Sequence, residues 1–489
     1  MVLDLGSGQK IMRLPAFAVL AASVLAVISS GTAAQSFDPA PWLDDLSQAK
    51  QAFATKYANL EWSQIDAEVR LSDLYDQTEA RIKAAGSEAE ARAAFDRLAR
   101  RSGDGHLRFN WPQPPRTAPT SAAGPKDLCA DYNAIYAAAP MMAEAAGYKA
   151  IETPQSAVFP AGLIKVGARH VGIIKIGMFG PHATPAYCQA AIAALKIEPA
   201  EPCDDSCQDR IENWASVRMT EDFTAQINAL KAAGAQLLLV DIANNGGGSE
   251  WAETAARILT PIRLKAEPVG FVRGPHWSKK LGDLELKLRD FSKTASGQDR
   301  AELNRLADQA AAAKTVAETP CDSAPLWSGS RTTCSWLGGG LWATGLMASA
   351  DPEALSGKQW AELVFSAMEV PYTEGVWRGP LIVLVNRNTG SASEEFAAEL
   401  QDNHAALILG ETTVGAGCGH TDGGTPTKLT HSGAVLELPD CARIRADGTN
   451  EVRGIKPDLL VGFRKSDALR LQAAEALAKL PEALKSMPK

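Results

Sequence analysis

Apolar side chains recur at helical spacing in the first hundred residues. Five of them follow one another at intervals of mostly three or four residues: Leu43, Leu46, Phe53, Tyr57 and Leu60. This spacing is typical of an amphipathic helix. Helical patterning returns over residues 65–101 and ends at Gly103 and Gly105. The sequence therefore predicts a small helical domain over residues 35–104.

From residue 171 onward the pattern changes to short, almost continuous apolar runs. Three of them, "VGIIKIGMF", "QLLLVDI" and "LIVLVNRN", are typical of strands that are buried on both faces. Between the first two lies "MTEDFTAQINALKAAG", a predicted helix with Thr220 as its N-cap and Gly234 at its end. Strands that alternate with helices predict an α/β core over residues 171–465.

The alternation of strands and helices lapses between about residues 260 and 375. This stretch has a charged helical pattern over roughly 279–314, then a predicted loop with two cysteines and the glycine run "LGGGLWATG". We interpret it as an insertion or lid on the core. Residues 105–170 include "WPQPPRTAPTSAAGPK" and are predicted to be a linker or cap segment. Residues 466–489 are predicted to form a C-terminal helix.

The N-terminus has the three parts of a secretory signal. Lys10 and Arg13 precede the apolar "LPAFAVLAASVLAVISS", and the small residues "GTAAQS" follow it. We expect a signal peptide over residues 1–34, with Met12 as an alternative start and an uncleaved anchor as the less favoured reading. The expected location is periplasmic or secreted, without a membrane span after cleavage. The net charge of −8 argues against nucleic acid or anionic lipid as a partner.

Eight cysteines agree with export, because an even number in a secreted chain suggests disulfide bonds. Metal binding is the rival interpretation, but no C-x-x-C pair occurs and no histidine pair has ligand spacing. We therefore expect no metal and no cofactor. Pairing of nearest neighbours, which the sequence alone leaves open, would give Cys129–Cys188, Cys203–Cys207, Cys321–Cys334 and Cys418–Cys441.

A candidate nucleophile lies in "VLVNRNTGSASEEFAAELQDN". This segment predicts a strand, a sharp turn and a helix, with Ser391 on the turn. The alternatives are that Ser391 only caps the helix, or that Ser393 is the nucleophile although it falls within the helix. A serine nucleophile also requires a base, and the loop that follows is rich in glycine.

Three segments together resemble the C-terminal processing (tail-specific) serine peptidases and their tricorn-type relatives: "LLLVDIANNGGGS", the Ser391 segment, and "SGAVLELPDCARIRADGTNEVRGIKPDLLV". The resemblance covers about residues 171–260 and 376–462, and less securely the helical N-terminus. It implies a ClpP/crotonase-like α/β core with an N-terminal helical domain and a large helical or loop insertion. Lysine-type members place their base where this chain has Ala416. No convincing PDZ pattern lies between residues 106 and 171.

The tricorn-type members and the chlamydial protease-like activity factor, which this chain resembles, use histidine and glutamate instead of lysine. Their histidine matches His106 in "GDGHL", and their glutamate matches Glu451 in "GTNEVRGIKPD". The resemblance thus implies that His106 is the base and that Glu451 orients its ring. His420, in the loop beside the expected site, is the competing base. The plainer alternatives are a surface histidine at 106 and a solvated turn residue at 451.

Backbone N–H groups of Gly247 or Gly248 and of Ala392 are the candidates for an oxyanion hole. The alternative is that "NNGGG" is only a flexible turn. Taken together, the sequence predicts a serine peptidase that acts on protein or peptide substrates. A non-catalytic relative that binds peptide or a hydrophobic ligand in the same cleft is the second hypothesis. An esterase or amidase is the third.

Overall fold

The computed structural model describes residues 37–113, 128–132, 139–198, 203–421, 424–464 and 466–486. Its helices are α1 Ala40–Lys56, α2 Leu60–Ile65, α3 Leu71–Ala84, α4 Glu88–Arg101, α5 Pro185–Leu195, α6 Asp205–Ala232, α7 Trp251–Ile258, α8 Pro275–Thr294, α9 Gly297–Ala317, α10 Ala324–Trp327, α11 Pro352–Leu355, α12 Ala361–Val364, α13 Ala392–Asp402 and α14 Leu469–Ser486. Its strands are β1 Arg108–Asn110, β2 Lys149–Ile151, β3 Ala161–Val166, β4 Arg169–Lys175, β5 Leu237–Asp241, β6 Pro268–Val272, β7 Leu337–Trp342, β8 Leu381–Val385, β9 Leu407–Gly410, β10 Thr427–Lys428, β11 Val435–Glu437, β12 Cys441–Arg443 and β13 Leu459–Leu460. The predicted signal peptide lies outside the described residues, and none of the helices within them is long and apolar enough to cross a membrane.

Helices α1 to α4 form the N-terminal helical region that the apolar spacing predicts. Trp42, Phe53 and Phe95 are buried there, and the ring centroids of Trp42 and Phe95 lie 6.3 Å apart. The residues over 65–101 form two main helices, α3 and α4. A new helix starts at α4 because the Ser87 side chain caps it by accepting a hydrogen bond from the backbone of Glu90. A short turn then connects α4 to β1.

A seven-stranded sheet in the order β13-β9-β8-β5-β4-β3-β2 forms the core. Neighbouring strands from β13 to β4 are parallel, and β4, β3 and β2 are antiparallel. Every residue of β5 and β8 is buried, as their continuous apolar sequences predict. Because parallel strands end at the same edge of a sheet, the loop after β5 lies beside the turn after β8.

Helices cover both faces of this sheet. Phe223 of α6, Trp251 of α7 and Phe396 of α13 pack in one apolar cluster with the inward side chains of β5 and β8. Ala473 and Leu480 of α14 pack in a second cluster on the opposite face. The fold is therefore the layered α/β core that the alternating pattern predicts.

Two local predictions need correction. Helix α6 begins at Asp205, and its N-cap is not Thr220 but Asp204, whose side chain accepts from the backbone of Cys207. Thr220 is buried within α6 and donates its hydroxyl proton to the Ser216 carbonyl at 2.8 Å. The glycine run that was predicted as a loop forms β7, because β6 and β12 offer it a sheet to join. Pairing with distant strands is invisible to local sequence patterns.

The insertion over residues 260–375 has its own apolar core. The charged helical pattern forms the two helices α8 and α9, and their buried leucines pack with Phe271 and Phe365. Strand β6 pairs antiparallel with both β7 and β12. Strand β12 belongs to the closing segment, residues 432–461, which adds the last strand to the core sheet. A continuous sheet therefore joins the insertion to the closing segment.

The four predicted disulfide bonds are all present: Cys129–Cys188, Cys203–Cys207, Cys321–Cys334 and Cys418–Cys441. Nearest-neighbour pairing is thus confirmed, and no cysteine is free. The bond between Cys418 and Cys441 spans 23 residues. It joins the glycine-rich loop, residues 413–419, to the start of β12.

A buried ion pair fixes the chain where it leaves β5. Lys175 Nζ lies 3.2 Å from Asp241 Oδ1, and both side chains are almost inaccessible to solvent. The same Asp241 oxygen accepts from the Ala243 amide at 3.0 Å, and Lys175 donates to the Ala243 carbonyl. Ala243 leads directly into the loop of residues 244–248, so this pair sets where that loop begins.

We expect Lys175→Met to lower the free energy of unfolding by about 3–5 kcal/mol, because it leaves the Asp241 carboxylate buried without its cation. Urea unfolding followed by circular dichroism measures the loss. The double variant Lys175→Met with Asp241→Asn should recover part of it, since no uncompensated charge remains. A single variant as stable as the native protein would contradict this account of the pair.

Candidate active site

Ser391 lies on the turn between β8 and α13. Its backbone has φ +57° and ψ −127°, a region that residues other than glycine rarely adopt. The amide of Gly390 donates to the Asn245 carbonyl at 3.0 Å. The buried Thr389 hydroxyl donates to the Ile242 carbonyl at 3.1 Å. These bonds hold the strained turn against the loop that follows β5.

His106 lies on the turn between α4 and β1, and its Nε2 is 3.1 Å from the Ser391 hydroxyl oxygen. Asp104, a buried carboxylate, anchors this turn by accepting a hydrogen bond from the His106 amide at 2.9 Å. Asp104 also accepts from the Tyr57 hydroxyl at 2.9 Å and from the Asn59 side chain at 2.8 Å. The N-terminal helices thus position an imidazole that is 285 residues away from Ser391 in the chain.

The other ring nitrogen of His106 identifies the tautomer. Nδ1 lies 2.7 Å from the carbonyl oxygen of Ala416. A carbonyl can only accept, so Nδ1 carries the proton and Nε2 presents a lone pair to the Ser391 hydroxyl. Burial lowers the pKa of His106 to about 4, although the Ala416 carbonyl partly opposes this shift. The imidazole is therefore neutral, and able to accept a proton, throughout the neutral pH range.

Glu451 does not occupy the place that the resemblance implies. Its buried carboxylate forms an ion pair with the Arg443 guanidinium, and no carboxylate among the described residues bonds to either ring nitrogen of His106. The expectation of a direct contact between Glu451 and His106 is thus corrected. The physical reason is that a buried guanidinium needs carboxylate partners, and Arg443 lies eight residues before Glu451 on the same closing segment.

Arg443 connects Glu451 to the site from behind. Its guanidinium also contacts Glu395 at 2.9 Å, and it donates to the backbone carbonyls of Gly417 at 2.9 Å and Ser391 at 3.4 Å. One cation thus touches both the Ser391 turn and the glycine-rich loop. Arg443 therefore connects Glu451 to both of these segments.

The competing candidates lie elsewhere. The ring of His420 is 5.9 Å from that of His106 between centroids, and its Nδ1 bonds the Leu438 carbonyl at 2.9 Å. The Ser393 side chain is buried inside α13, and its hydroxyl has no hydrogen-bond partner in the described parts of the chain. Those parts also contain no cluster of three or more histidine, cysteine, aspartate or glutamate side chains arranged to hold a metal ion.

The glycines after β5 lie directly against Ser391. A Cβ atom on Gly247 would lie 2.7 Å from the Ser391 Cβ and 2.9 Å from the Ala392 amide nitrogen. The Gly247 amide donates to the Asn245 side chain at 2.9 Å, so it is not free to bind an oxyanion. For the amides of Gly248 and Ala392 we find no acceptor within the described residues. These two remain as the candidate oxyanion donors.

One residue of the site was missed by sequence reasoning. Glu394 is buried on the first turn of α13, and its carboxylate accepts from the amides of Ser391 at 3.0 Å and Ala416 at 2.8 Å. The available signal was the pattern Ser-x-x-Glu at a helix start, which predicts that the glutamate side chain returns to the backbone of the first residue.

Comparison with known proteins places this chain in a family. The model of peptidase family S41 matches residues 209–461, just over half of the chain. Carboxyl-terminal-processing proteases of Picosynechococcus sp. and Synechocystis sp. are 49% identical over 53 residues and 58% identical over 38 residues. These matches span 11% and 8% of this chain, and only 12% and 9% of the curated relatives.

The overall fold resembles that of the solved structures of CPAF. Mature CPAF in complex with lactacystin superposes with a TM-score of 0.53 at 15% identity, over 92% of this chain and 99% of that chain. Mature CPAF alone gives the same score and identity, over 92% and 98%. At this level of identity the likeness shows a shared fold, including the helical N-terminal region.

We expect Gly247→Ala to slow the reaction of Ser391 with a fluorophosphonate by about 100-fold or more, because the new methyl group displaces the Ser391 side chain. Gly246→Ala is the matched control, since a Cβ there meets no atom within 4 Å. Mass spectrometry of the labelled protein over time gives both rates, and circular dichroism checks that each variant is folded. Equal rates for the two variants would contradict the proposed contact.

Proposed function

The chain belongs to peptidase family S41, and we propose that it is a serine peptidase that hydrolyses protein or peptide substrates through an acyl-enzyme on Ser391. One observation carries this proposal: hydrogen bonds lead from the Ser391 hydroxyl to His106 Nε2, and from Nδ1 of the same ring to the Ala416 carbonyl. They supply a nucleophile, a proton acceptor and a group that orients the acceptor, as serine hydrolysis requires.

In the acylation step, His106 Nε2 takes the Ser391 proton while Oγ forms a bond to the scissile carbonyl carbon. The carbonyl oxygen becomes an anion, and the amides of Gly248 and Ala392 donate to it. Each such donor lowers the barrier by about 3 kcal/mol. The imidazolium then gives its proton to the leaving amine, and the C–N bond breaks to leave an ester on Ser391.

In the deacylation step, a water molecule attacks the ester while Nε2 takes its proton. The product acid leaves, and Ser391 regains its proton from the imidazolium. The Ala416 carbonyl accepts from Nδ1 throughout, so its dipole stabilises the charged ring. This chemistry needs no metal or cofactor.

Glu451 has a supporting role in this proposal. Its carboxylate neutralises Arg443, which in turn holds the carbonyls of Ser391 and Gly417. Loss of the Glu451 charge would leave a buried, partly uncompensated guanidinium beneath the nucleophile turn. Glu451 is thus a positioning residue that acts through Arg443.

We further propose that the protein works in the periplasm or outside the cell. All eight cysteines are paired, and disulfide bonds persist in oxidising compartments. The N-terminal pattern of positive charge, apolar run and small residues supports the same location. The acidic net charge favours a protein or peptide substrate over nucleic acid.

Ser391→Ala should abolish covalent labelling by a fluorophosphonate while leaving the circular dichroism spectrum unchanged. Ser393→Ala should label as the native protein does, because the Ser393 hydroxyl is buried in α13. The measurement is intact-protein mass after incubation with the reagent. A native protein that does not label would favour the non-catalytic binding hypothesis, and hydrolysis of a nitrophenyl ester without casein would favour an esterase.

His106→Ala should lower kcat by about 10³- to 10⁴-fold with little change in KM, because the proton transfer occurs only in the transition state. His420→Ala should retain kcat within about threefold, since among the described residues its ring hydrogen-bonds the Leu438 carbonyl and not Ser391 or His106. Both variants are compared on one peptide substrate at neutral pH. An active His106→Ala beside an inactive His420→Ala would exchange the two roles.

A further inference from the structure

We propose that Glu394 is a positioning residue that fixes the nucleophile and the base together, and that its carboxylate acts on the imidazole through the backbone of Ala416. This proposal rests on the proposed function, because it assumes that Ser391 and His106 are the reacting pair. It assigns to Glu394 the task of holding the base in place, for which the resemblance pointed to Glu451.

Four donors converge on the Glu394 carboxylate. Oε2 accepts from the Ser391 amide at 3.0 Å and from the Ala416 amide at 2.8 Å. Oε1 accepts from the Gly415 amide at 2.7 Å and from the Thr413 hydroxyl. Both oxygens are therefore occupied by hydrogen bonds from two segments that are distant in the chain. A side chain on the first turn of α13 thus joins the nucleophile turn to the glycine-rich loop.

Ala416 links this carboxylate to the base. Its amide donates to Glu394, and its carbonyl accepts from His106 Nδ1 at 2.7 Å. The Ala416 side chain is a methyl group, so only the backbone of this residue can hold the ring. The position of the carbonyl, and with it the orientation of Nε2 toward Ser391, therefore depends on what holds the Ala416 amide.

The loop itself offers little rigidity. Gly415 and Gly417, on either side of Ala416, have φ +81° and +63°, where glycine is favoured. Other bonds restrain the loop on either side of Ala416. The Gly105 amide donates to the Gly415 carbonyl at 3.2 Å, Arg443 contacts the Gly417 carbonyl, and Cys418 is held in its disulfide. At Gly415 and the Ala416 amide, Glu394 is the side chain that holds the backbone.

The ionised form of Glu394 suits this task. A carboxylate accepts at both oxygens, whereas a protonated carboxyl presents a hydrogen to one pair of donors and loses part of the clamp. Burial raises the pKa of Glu394 to about 7, and the negative charge of Glu451 adds to this shift, while the Thr413 hydroxyl and the loop amides oppose it.

The charged and titratable groups around Glu394 come from four segments. They are Glu395 on α13, Arg443 and Glu451 on the closing segment, His106 on the turn after α4, and His420 at the end of the loop. Because the pKa of His106 is about 4, the ring does not titrate near neutrality. We therefore expect kcat/KM to rise with pH through about 7, as Glu394 loses its proton.

Two variants of Glu394 test the clamp. Glu394→Gln keeps the shape but turns an NH₂ group toward two of the four donors. It should lower kcat by about 100-fold, because a displaced base is poorly aligned for proton transfer in the transition state. KM should be nearly unchanged, because substrate binding does not depend on the base. Glu394→Asp keeps the charge on a shorter arm and should recover part of kcat.

The matched control is Glu399→Gln on the same helix. Glu399 is also a buried carboxylate, but its partner is Arg257, at 2.6 Å, and it touches neither Ser391 nor the loop. This variant should lose thermal stability. Its kcat, calculated per protein molecule that a fluorophosphonate labels, should stay within about threefold of the native value. If both glutamine variants lose kcat equally, Glu394 has only a structural role and the proposal fails.

The pH profile of kcat/KM separates the proposal from a merely structural effect. The native protein should show a step near pH 7, and Glu394→Gln should lack this step between about pH 5.5 and 8. A native profile without the step overturns the proposal even if Glu394→Gln does not fold. A step that survives in Glu394→Gln assigns it to another group and also overturns the proposal.

Ser391→Ala, measured in parallel, distinguishes this failure from failure of the proposed function. If Ser391→Ala retains activity, the proposed function is wrong. If Ser391→Ala is inactive while Glu394→Gln has native kcat and a native pH profile, only the role of Glu394 is wrong.

Discussion

The hydrogen bond from His106 Nδ1 to the Ala416 carbonyl is the interaction on which the site depends. A carboxylate partner would bring its own charge and could be held by its own side chain. A backbone carbonyl is only as well placed as the loop that carries it. The surrounding structure meets this constraint from three directions, with the Glu394 carboxylate, the Arg443 guanidinium and the Cys418–Cys441 disulfide all fixed to the same short loop.

Holding that loop requires buried charge, and buried charge has thermodynamic consequences. Burial raises the pKa values of Glu253 and Glu267 well above the usual value for glutamate. At a pH between the unfolded and the folded pKa, these carboxyls are therefore protonated in the folded chain and ionised in the unfolded chain. Glu394 follows the same rule with a pKa of about 7. Its folded pKa lies above the unfolded one, so its contribution to stability is lost as pH rises from about 4.5 to about 7. Above pH 7, where Glu394 is ionised as the site requires, the free energy of unfolding is therefore lower by about 3 kcal/mol than at a pH where Glu394 is protonated in both states.

Sequence patterns predicted the parts of this protein that are determined locally. The sequence alone leaves the disulfide pairing open, whereas the apolar runs of β5 and β8 and the turn at Ser391 follow from short stretches of chain. The partner of Glu451 did not, because nothing near "GTNEVRG" shows that Arg443 is buried and needs its charge. Strand β7 and the start of α6 were missed for a similar reason, since distant strands and an upstream cap decided them. The Ser-x-x-Glu pattern did carry the signal for Glu394.

His106 and Ser391 stand 285 positions apart, and Arg443 and Glu451 lie further along still. This order has a consequence for the protein during its synthesis. A ribosome must extend the chain past Glu451 before all the parts of the site exist. Until then the proposed base, His106, lacks the support that Arg443 and Glu451 give to the glycine-rich loop. Under the proposed function, chain order alone thus delays proteolytic competence until the chain has passed Glu451.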